Sequence, residues 1–170
     1  MTDETLLKLG DIVIPAGAGR GITQTVTPIE NGSIRRTVNG ELIDLTRQES
    51  RKYASAISAG DNAGTAPAFA GLWRGQTLVV ECIKTIRQTV FPASLSATLI
   101  RSPVAGSVVG RDALGAKVNP SSVVDRLATF PSNVVMIEFR PILTMKVLSV
   151  NEDVNEYEAS ETWSLELEEV

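Results

Sequence analysis

The strict alternation of polar and apolar residues near the C-terminus constrains the fold of this 170-residue chain more than any other feature. Every even position from residue 156 to residue 168 is polar. The odd positions carry, in order, Tyr157, Ala159, Glu161, Trp163, Leu165 and Leu167. Because successive side chains of a β-strand point to opposite faces, this pattern predicts a strand with one buried and one solvated face.

The preceding run supplies a partner for this strand, with apolar residues again at odd positions: Ile137, Phe139, Pro141, Leu143, Met145 and Val147. A connection centred on Asp153 places Leu143 near Trp163 and Arg140 beside Glu166, which pairs apolar with apolar and opposite charges with each other. Each strand of this long C-terminal hairpin then spans roughly 11 residues, or about 35 Å. Such strands are longer than a small core requires, so we expect an edge or arm that pairs with another subunit.

A second hairpin is indicated by Asn39-Gly40, which lies between two β-rich runs. Both residues tolerate the positive φ angles of a type I′ turn, so this dipeptide is a strong hairpin signal. A two-residue loop at this point places Arg36 opposite Ile43. A later run, Thr77–Cys82, is expected to form a buried strand in the body of the domain.

A single helix is predicted at about residues 121–130, where Ser121 or Ser122 can cap the first turn and Pro131 follows the last. Its apolar face consists of Val123, Val124, Leu127 and Ala128. We therefore expect a mainly β fold: an antiparallel β-sandwich or split barrel, with one short α-helix and the long C-terminal β-hairpin.

The length suits one β-rich structural domain over residues 1–170. Residues 1–10 are expected to form a short helical turn or a loose N-terminal arm. Residues 102–120, rich in Gly, Ser and Val, are expected to form a long hairpin, or a loop that becomes ordered against a neighbouring subunit.

The residue types argue against an enzyme. Histidine is absent and Cys82 is the only cysteine, which removes Ser-His and Cys-His arrangements and a zinc site. We expect no catalytic residue, no cofactor and no metal. Cys82 is predicted to be a buried structural thiol, and Trp73 a packing residue in the core or at a sheet edge.

Charge is distributed unevenly along the chain. The segment from Asn151 to the end carries eight acidic residues and no basic residue, whereas the first 150 residues carry 16 basic and 12 acidic residues. An acidic segment repels nucleic-acid phosphates, so tight wrapping around DNA is not expected. No apolar run reaches the length of a membrane-spanning helix, and the acidic N-terminus does not fit a secretory signal.

Several segments resemble proteins from the tail modules of tailed bacteriophages. They are RRTVNGELIDL, RKYASAISAGD and LWRGQTLVVECI in the first half, and RPILTMKVLSV and YEASETWSLELEEV near the end. The resemblance covers about half of the chain and lies in segment order rather than in a catalytic motif. It implies a virion structural protein of the tail tube, distal tail or baseplate, made in the host cytoplasm, with other tail proteins and further copies of itself as partners.

The resemblance also implies a ring around a channel through which DNA passes without specific binding. Glu158, Glu166 and Glu168 are then candidates for channel-facing or interface residues. Arg140 and Lys146 are expected to neutralise that acidic face in part.

Two alternatives remain at this point. A head–tail connector or capsid decoration protein would use the small-residue loops to dock on a capsid. A monomeric carbohydrate-binding β-sandwich would use Trp73 and Trp163 as sugar platforms, although Trp163 shares its predicted face with Leu165 and Leu167.

Overall fold

The computed structural model describes residues 5–15, 17–19, 21–29, 34–45, 51–61, 65–158 and 160–170. The regular secondary structure of these residues consists of β-strands in antiparallel sheets, so the expected mainly β fold is confirmed. Within these ranges no sheet closes into a barrel. The strands in chain order are β1 (Lys8–Leu9), β2 (Thr23–Pro28), β3 (Ile34–Arg36), β4 (Leu42–Asp44), β5 (Tyr53–Asp61), β6 (Thr77–Glu81), β7 (Ile86–Thr98), β8 (Val109–Arg111), β9 (Lys117–Val118), β10 (Ser122–Val124), β11 (Leu127–Phe139), β12 (Ile142–Asn155) and β13 (Ser160–Glu169).

A six-stranded sheet, which we call the large sheet, has the strand order β1-β6-β12-β13-β5-β2. One of its faces packs against Leu7 and Phe69, which lie outside its strands, and Leu9 of β1 is part of the same core. The sheet contributes its alternate apolar residues to this core: Ile57, Val80, Leu143, Met145, Val147, Trp163, Leu165 and Leu167. The period-two pattern of the sequence thus becomes one buried face.

A second sheet, the small sheet, is built around β11. Strand β7 pairs along one side of β11, while β10 and β8 pair along the other and β9 follows β8. It has its own core, which includes Phe130, Val134, Ile137 and Phe139. On its other face Glu138 accepts hydrogen bonds from Arg87 and Arg111, which lower the pKa of the Glu138 carboxyl.

The long C-terminal hairpin is present, but its register differs from the predicted one. Trp163 lies opposite Glu152, and Glu166 lies opposite Ser149. The reason is the position of the turn: the Asn155 side-chain oxygen accepts hydrogen bonds from the backbone N–H groups of Tyr157 (3.0 Å) and Glu158 (3.3 Å). An asparagine that caps its own turn in this way moves the connection beyond Asp153.

The run predicted to pair with β13 in fact belongs to two strands. Its six odd positions are all buried, as the alternation indicates. However, β11 ends at Phe139 and β12 begins at Ile142, so Ile137 and Phe139 enter the core of the small sheet and Leu143 enters that of the large sheet. The break falls at Arg140-Pro141, where proline has no N–H to donate to a ladder.

The predicted helix at residues 121–130 is wrong, because this segment forms the β10–β11 hairpin. Val124 pairs with Leu127 across a two-residue turn in which Asp125 has a φ of 51°. Leu127 also pairs with Thr98 of β7. Hydrogen bonds to strands on both sides of β11 therefore stabilise the strand more than a helix of about ten residues would be stabilised. The β-branched valines also favour the strand.

The hairpin predicted at Asn39-Gly40 forms as β3–β4, with a register shifted by one residue. Arg36 lies opposite Leu42 rather than Ile43. The Thr37 N–H donates to the Glu41 carbonyl oxygen (2.8 Å), and Gly40 has a φ of +81°. This is a three-residue loop that ends in a left-handed glycine, and a shift of one residue exchanges the faces of the strand.

The expected N-terminal arm contains a strand, and residues 102–120, expected to form a long hairpin or a loop, contain a short hairpin. Residues 1–4 lie outside the described ranges, but Lys8–Leu9 pairs with β6, and Leu7 and Leu9 are buried. Residues 102–120 include the β8–β9 hairpin. In the part of the chain that the structure describes, no helix is long and apolar enough to cross a membrane.

Candidate assembly surface

The side of the large sheet that faces away from its core, here called the outer face, carries mostly small or polar side chains. They alternate with the buried residues along β2, β5, β12 and β13, so the sheet pairing brings them together. The small members are Thr23, Thr25, Thr27, Ala54, Ala56, Ser58, Ser149, Thr162 and Ser164. Because these side chains are short, another surface can approach the backbone of this face closely.

Three of the five candidate residues share the outer face. Lys146 and Glu168 are cross-strand partners in β12 and β13. Glu166 accepts a hydrogen bond from the Ser149 hydroxyl (2.8 Å). The prediction that Lys146 offsets part of the negative charge of this face therefore depends on its position beside Glu168. Both residues lie at the end of the hairpin near Ile142 and Glu169.

The other two candidates lie elsewhere. Glu158 is exposed in the turn between β12 and β13, where its N–H donates to Asn155. Arg140 lies between β11 and β12, and its guanidinium donates to the Leu6 carbonyl oxygen (3.1 Å). Arg140 therefore holds the N-terminal segment against the sheet instead of neutralising Glu166.

A partly buried ion pair that the sequence did not reveal lies at the base of the C-terminal hairpin. Arg101 Nε donates to Glu169 Oε1 (2.6 Å), and Arg101 Nη2 donates to Glu169 Oε2 (3.1 Å). The hydrogen bond to Glu169 raises the pKa of Arg101. Glu169 also accepts the Tyr53 N–H (3.0 Å), so the pair joins the segment after β7 to β13 and β5. Glu169 occupies an odd position, as the buried Leu165 and Leu167 do. This pattern was the sequence signal that its carboxylate is largely buried and needs a partner.

The opposite end of the hairpin, which we call the tip, comprises residues 152–158 and 160–161. It extends past the core, since Trp163 is the last buried residue of β13 toward this end. It carries Glu152, Asp153, Glu156, Glu158 and Glu161, and none of these forms an ion pair within the described ranges. Lys146 is the last basic residue of the sequence. The hairpin thus has a base where Arg101 and Lys146 offset part of the acidic charge, and an acidic tip.

The two tryptophans occupy different environments. Trp163 is buried, donates its indole N–H to the Ala18 carbonyl oxygen (3.3 Å), and packs edge-to-face on Phe69 with ring centroids 5.4 Å apart. Trp73 is 70% exposed, so of the two expected positions, the core or a sheet edge, the core is excluded. It begins a tight turn in which Gly75 has a φ of +90° and Gln76 donates its N–H to the Trp73 carbonyl oxygen (3.1 Å).

The thiol of Cys82 is buried as predicted, and burial raises its pKa to about 11. It is therefore protonated and unreactive at neutral pH. The described residues contain no group of three or more side chains that could hold a metal ion.

Comparisons of this chain with models of protein families, with curated proteins and with solved structures found no match. The geometry of the chain itself is therefore the basis for its proposed function. What the arrangement offers is a mostly polar face, an acidic projection and, among the described strands, unpaired sheet edges.

Proposed function

We propose that this protein is a structural component of a bacteriophage tail that assembles into a ring around the DNA channel, in the tube, distal-tail or baseplate region. The observation that carries the proposal is the acidic tip of the C-terminal hairpin. Its carboxylates project beyond the core and lack cationic partners among the described residues, although the first 150 residues of the chain carry an excess of basic over acidic residues.

An acidic surface suits a channel for DNA because it repels phosphates without any sequence-specific contact. Exposed charges act over about 8 Å at physiological ionic strength. A ring of tips would bring together several copies of the same acidic cluster, which raises the local negative potential above that of one chain. DNA could then pass without binding to the wall.

The edges of the large sheet support assembly with further copies. Strand β2 forms one edge, and no described strand covers its outer side. Strand β1, at the other edge, has only two residues. Unpaired edges favour contacts between chains, and closure of a ring removes them. In this proposal the protein resides in the virion tail after synthesis in the host cytoplasm, works with other tail proteins, and has no catalytic activity or cofactor.

A carbohydrate-binding domain is the second candidate, and the exposed Trp73 is the observation that favours it. An exposed indole can stack on a sugar ring. The burial of Trp163 removes the other platform, so a single aromatic residue would have to bind the glycan.

The assembly state of the purified chain tests the proposal. We expect light scattering after size-exclusion chromatography to give a mass of several copies, and negative-stain microscopy to show rings with a central hole. A stable monomer at all concentrations would contradict the proposal, and a monomer that binds glycans through Trp73 would support the second candidate.

The role of the tip requires a charge-matched comparison. The double variant Asp153→Asn/Glu158→Gln removes two negative charges from the tip, and Asp11→Asn/Asp112→Asn removes two from elsewhere. We expect rings of the tip variant to bind fluorescent duplex DNA at low salt at least tenfold more tightly than the control variant does. Equal binding by both variants would show that the tip does not face the channel.

A further inference from the structure

The β3–β4 hairpin packs against no other strand that the structure describes. It nevertheless exposes large aliphatic side chains: Ile34 is 63% exposed, Leu42 59% and Leu45 58%. A two-stranded hairpin without a core is marginally stable in water. Clustered apolar side chains on such an element indicate a surface that another molecule covers.

Both faces of this hairpin carry aliphatic side chains beside charged ones. Ile34 and Leu42 lie on one face, because they share it with their cross-strand partners Asp44 and Arg36. Ile43 lies on the other face, opposite Arg35. A flat docking surface would leave one of these faces in water. A groove with two walls would cover both.

The same chain has an apolar groove. It lies where the large and small sheets meet and has a volume of about 630 Å³. Its walls are mainly apolar and include Val104, Val109, Pro120, Val123 and Ile142. This volume falls within the range of roughly 300–1,000 Å³ that is usual for pockets that bind drug-sized ligands. Two carboxylates, Glu81 and Asp125, also line it, together with Lys117.

We propose that the β3–β4 hairpin of one copy inserts into this groove on a second copy. The hairpin supplies aliphatic side chains, and the groove supplies apolar residues from both sheets, Ile142 from the large sheet and Val109 and Val123 from the small sheet. Arg36 of the hairpin can meet Asp125 of the groove. Opposite charges at the rim of an interface fix its register and speed its formation.

The contact joins two different surfaces of the same chain, so it is heterologous. Repeated head-to-tail, such contacts close into a ring or continue as a filament. This inference rests on the proposed ring assembly and names the contact that would build it. Removal of the contact would therefore disrupt assembly without disturbing either core.

Cross-linking between variants that each carry one added cysteine tests the contact. Leu42→Cys places a thiol on the hairpin and Val123→Cys places one in the groove, while the native Cys82 is buried and does not compete. We expect a mixture of the two variants, after mild oxidation, to give a disulfide-linked dimer on a non-reducing gel. The matched control mixes Leu42→Cys with Ser164→Cys, which lies on the outer face, and should give at least tenfold less dimer.

The outcomes separate this inference from the proposed function. Rings in the microscope with no excess cross-link over the control would overturn the hairpin-in-groove contact and leave the ring intact. A dimer from Leu42→Cys alone would show that two hairpins pair with each other, which also overturns it. A chain that stays monomeric at all concentrations would contradict both proposals.

An assembly measurement gives a second, independent readout. The double variant Leu42→Asp/Ile43→Asp places charges on both hairpin faces and should raise the concentration for half-assembly at least tenfold. Because neither residue lies in a core cluster, the midpoint of urea unfolding should not change. Unchanged assembly of this variant would contradict the inference.

Discussion

The two hairpins that the sequence predicts differ in what holds them. The β12–β13 hairpin lies in the middle of a six-stranded sheet, and its odd-numbered residues from Trp163 to Leu167 are buried in a core. The β3–β4 hairpin has the stronger turn signal, yet it contacts only itself among the described strands. A good turn therefore determines that a hairpin forms, whereas alternation over a long run determines that it is buried.

The two hairpins also differ in whether their residues stabilise one chain or are available for contacts between chains. Residues of β12 and β13 are part of the core that stabilises one chain. The apolar residues of β3 and β4 contribute almost nothing to that core and remain available for contacts between chains. Substitutions in the two hairpins should consequently affect different measurements.

The largest effect is expected for Leu165→Ala in β13. Leu165 is fully buried, so its truncation should reduce the free energy of unfolding by about 2–5 kcal/mol. The matched variant Leu42→Ala in β4 should change it by less than about 0.5 kcal/mol. Urea titration of both proteins at a concentration where the chain is monomeric makes this comparison. A loss of similar size in both variants would show that β3–β4 packs on the body of its own chain.

A smaller effect is expected at the base of β13, for Arg101→Gln. This change leaves the mostly buried Glu169 carboxylate without its bidentate partner, which should cost about 1–3 kcal/mol. The control is Lys8→Gln, because the Lys8 side chain is 67% exposed in its ion pair with Glu81. An exposed pair contributes about 0–1 kcal/mol, so thermal unfolding should distinguish the two variants. Equal shifts in melting temperature would mean that the Arg101–Glu169 pair does not join β13 to its neighbours.

The smallest effect on a single chain is expected for Gly40→Ala in the loop of β3–β4. Gly40 has a φ of +81°, where a Cβ costs about 1 kcal/mol, although no neighbouring atom would clash with it. Unfolding of the body should not change. The concentration for half-assembly should rise about fivefold, as 1 kcal/mol implies. Gly71→Ala is the control, since Gly71 has open space and no positive φ. A fivefold effect from Gly71→Ala as well would remove the link to the hairpin loop.

Sequence alone predicted the β class, both hairpins, the buried thiol and the burial of the odd-numbered apolar residues near the C-terminus. It did not predict the C-terminal register, because the turn depends on the hydrogen bonds of Asn155 and not on the alternation itself. It assigned residues 121–130 to a helix because Val123, Val124 and Leu127 have helical spacing as well as strand propensity. Only the pairing of β11 with β7, a contact between distant segments, decides between the two.

The sequence predicted one part of the candidate surface and missed another. Lys146, Glu166 and Glu168 share a face because strand parity determines it. Arg140 was misplaced because the break at Pro141 turns the chain from one sheet to the other, and its contact with Leu6 joins residues that are far apart in sequence. The exposure of the β3–β4 side chains was not visible either, since alternation cannot show whether a core is present to cover them.

Hydrogen exchange of the β3–β4 hairpin, measured at low and high protein concentration, tests the central claim most directly. The account predicts that amides of residues 34–44 exchange rapidly in the monomer and become protected on assembly, while those of β12 and β13 near Leu165 are protected in both states. Rapid exchange of residues 34–44 in fully assembled rings would contradict the claim that a second copy covers this hairpin.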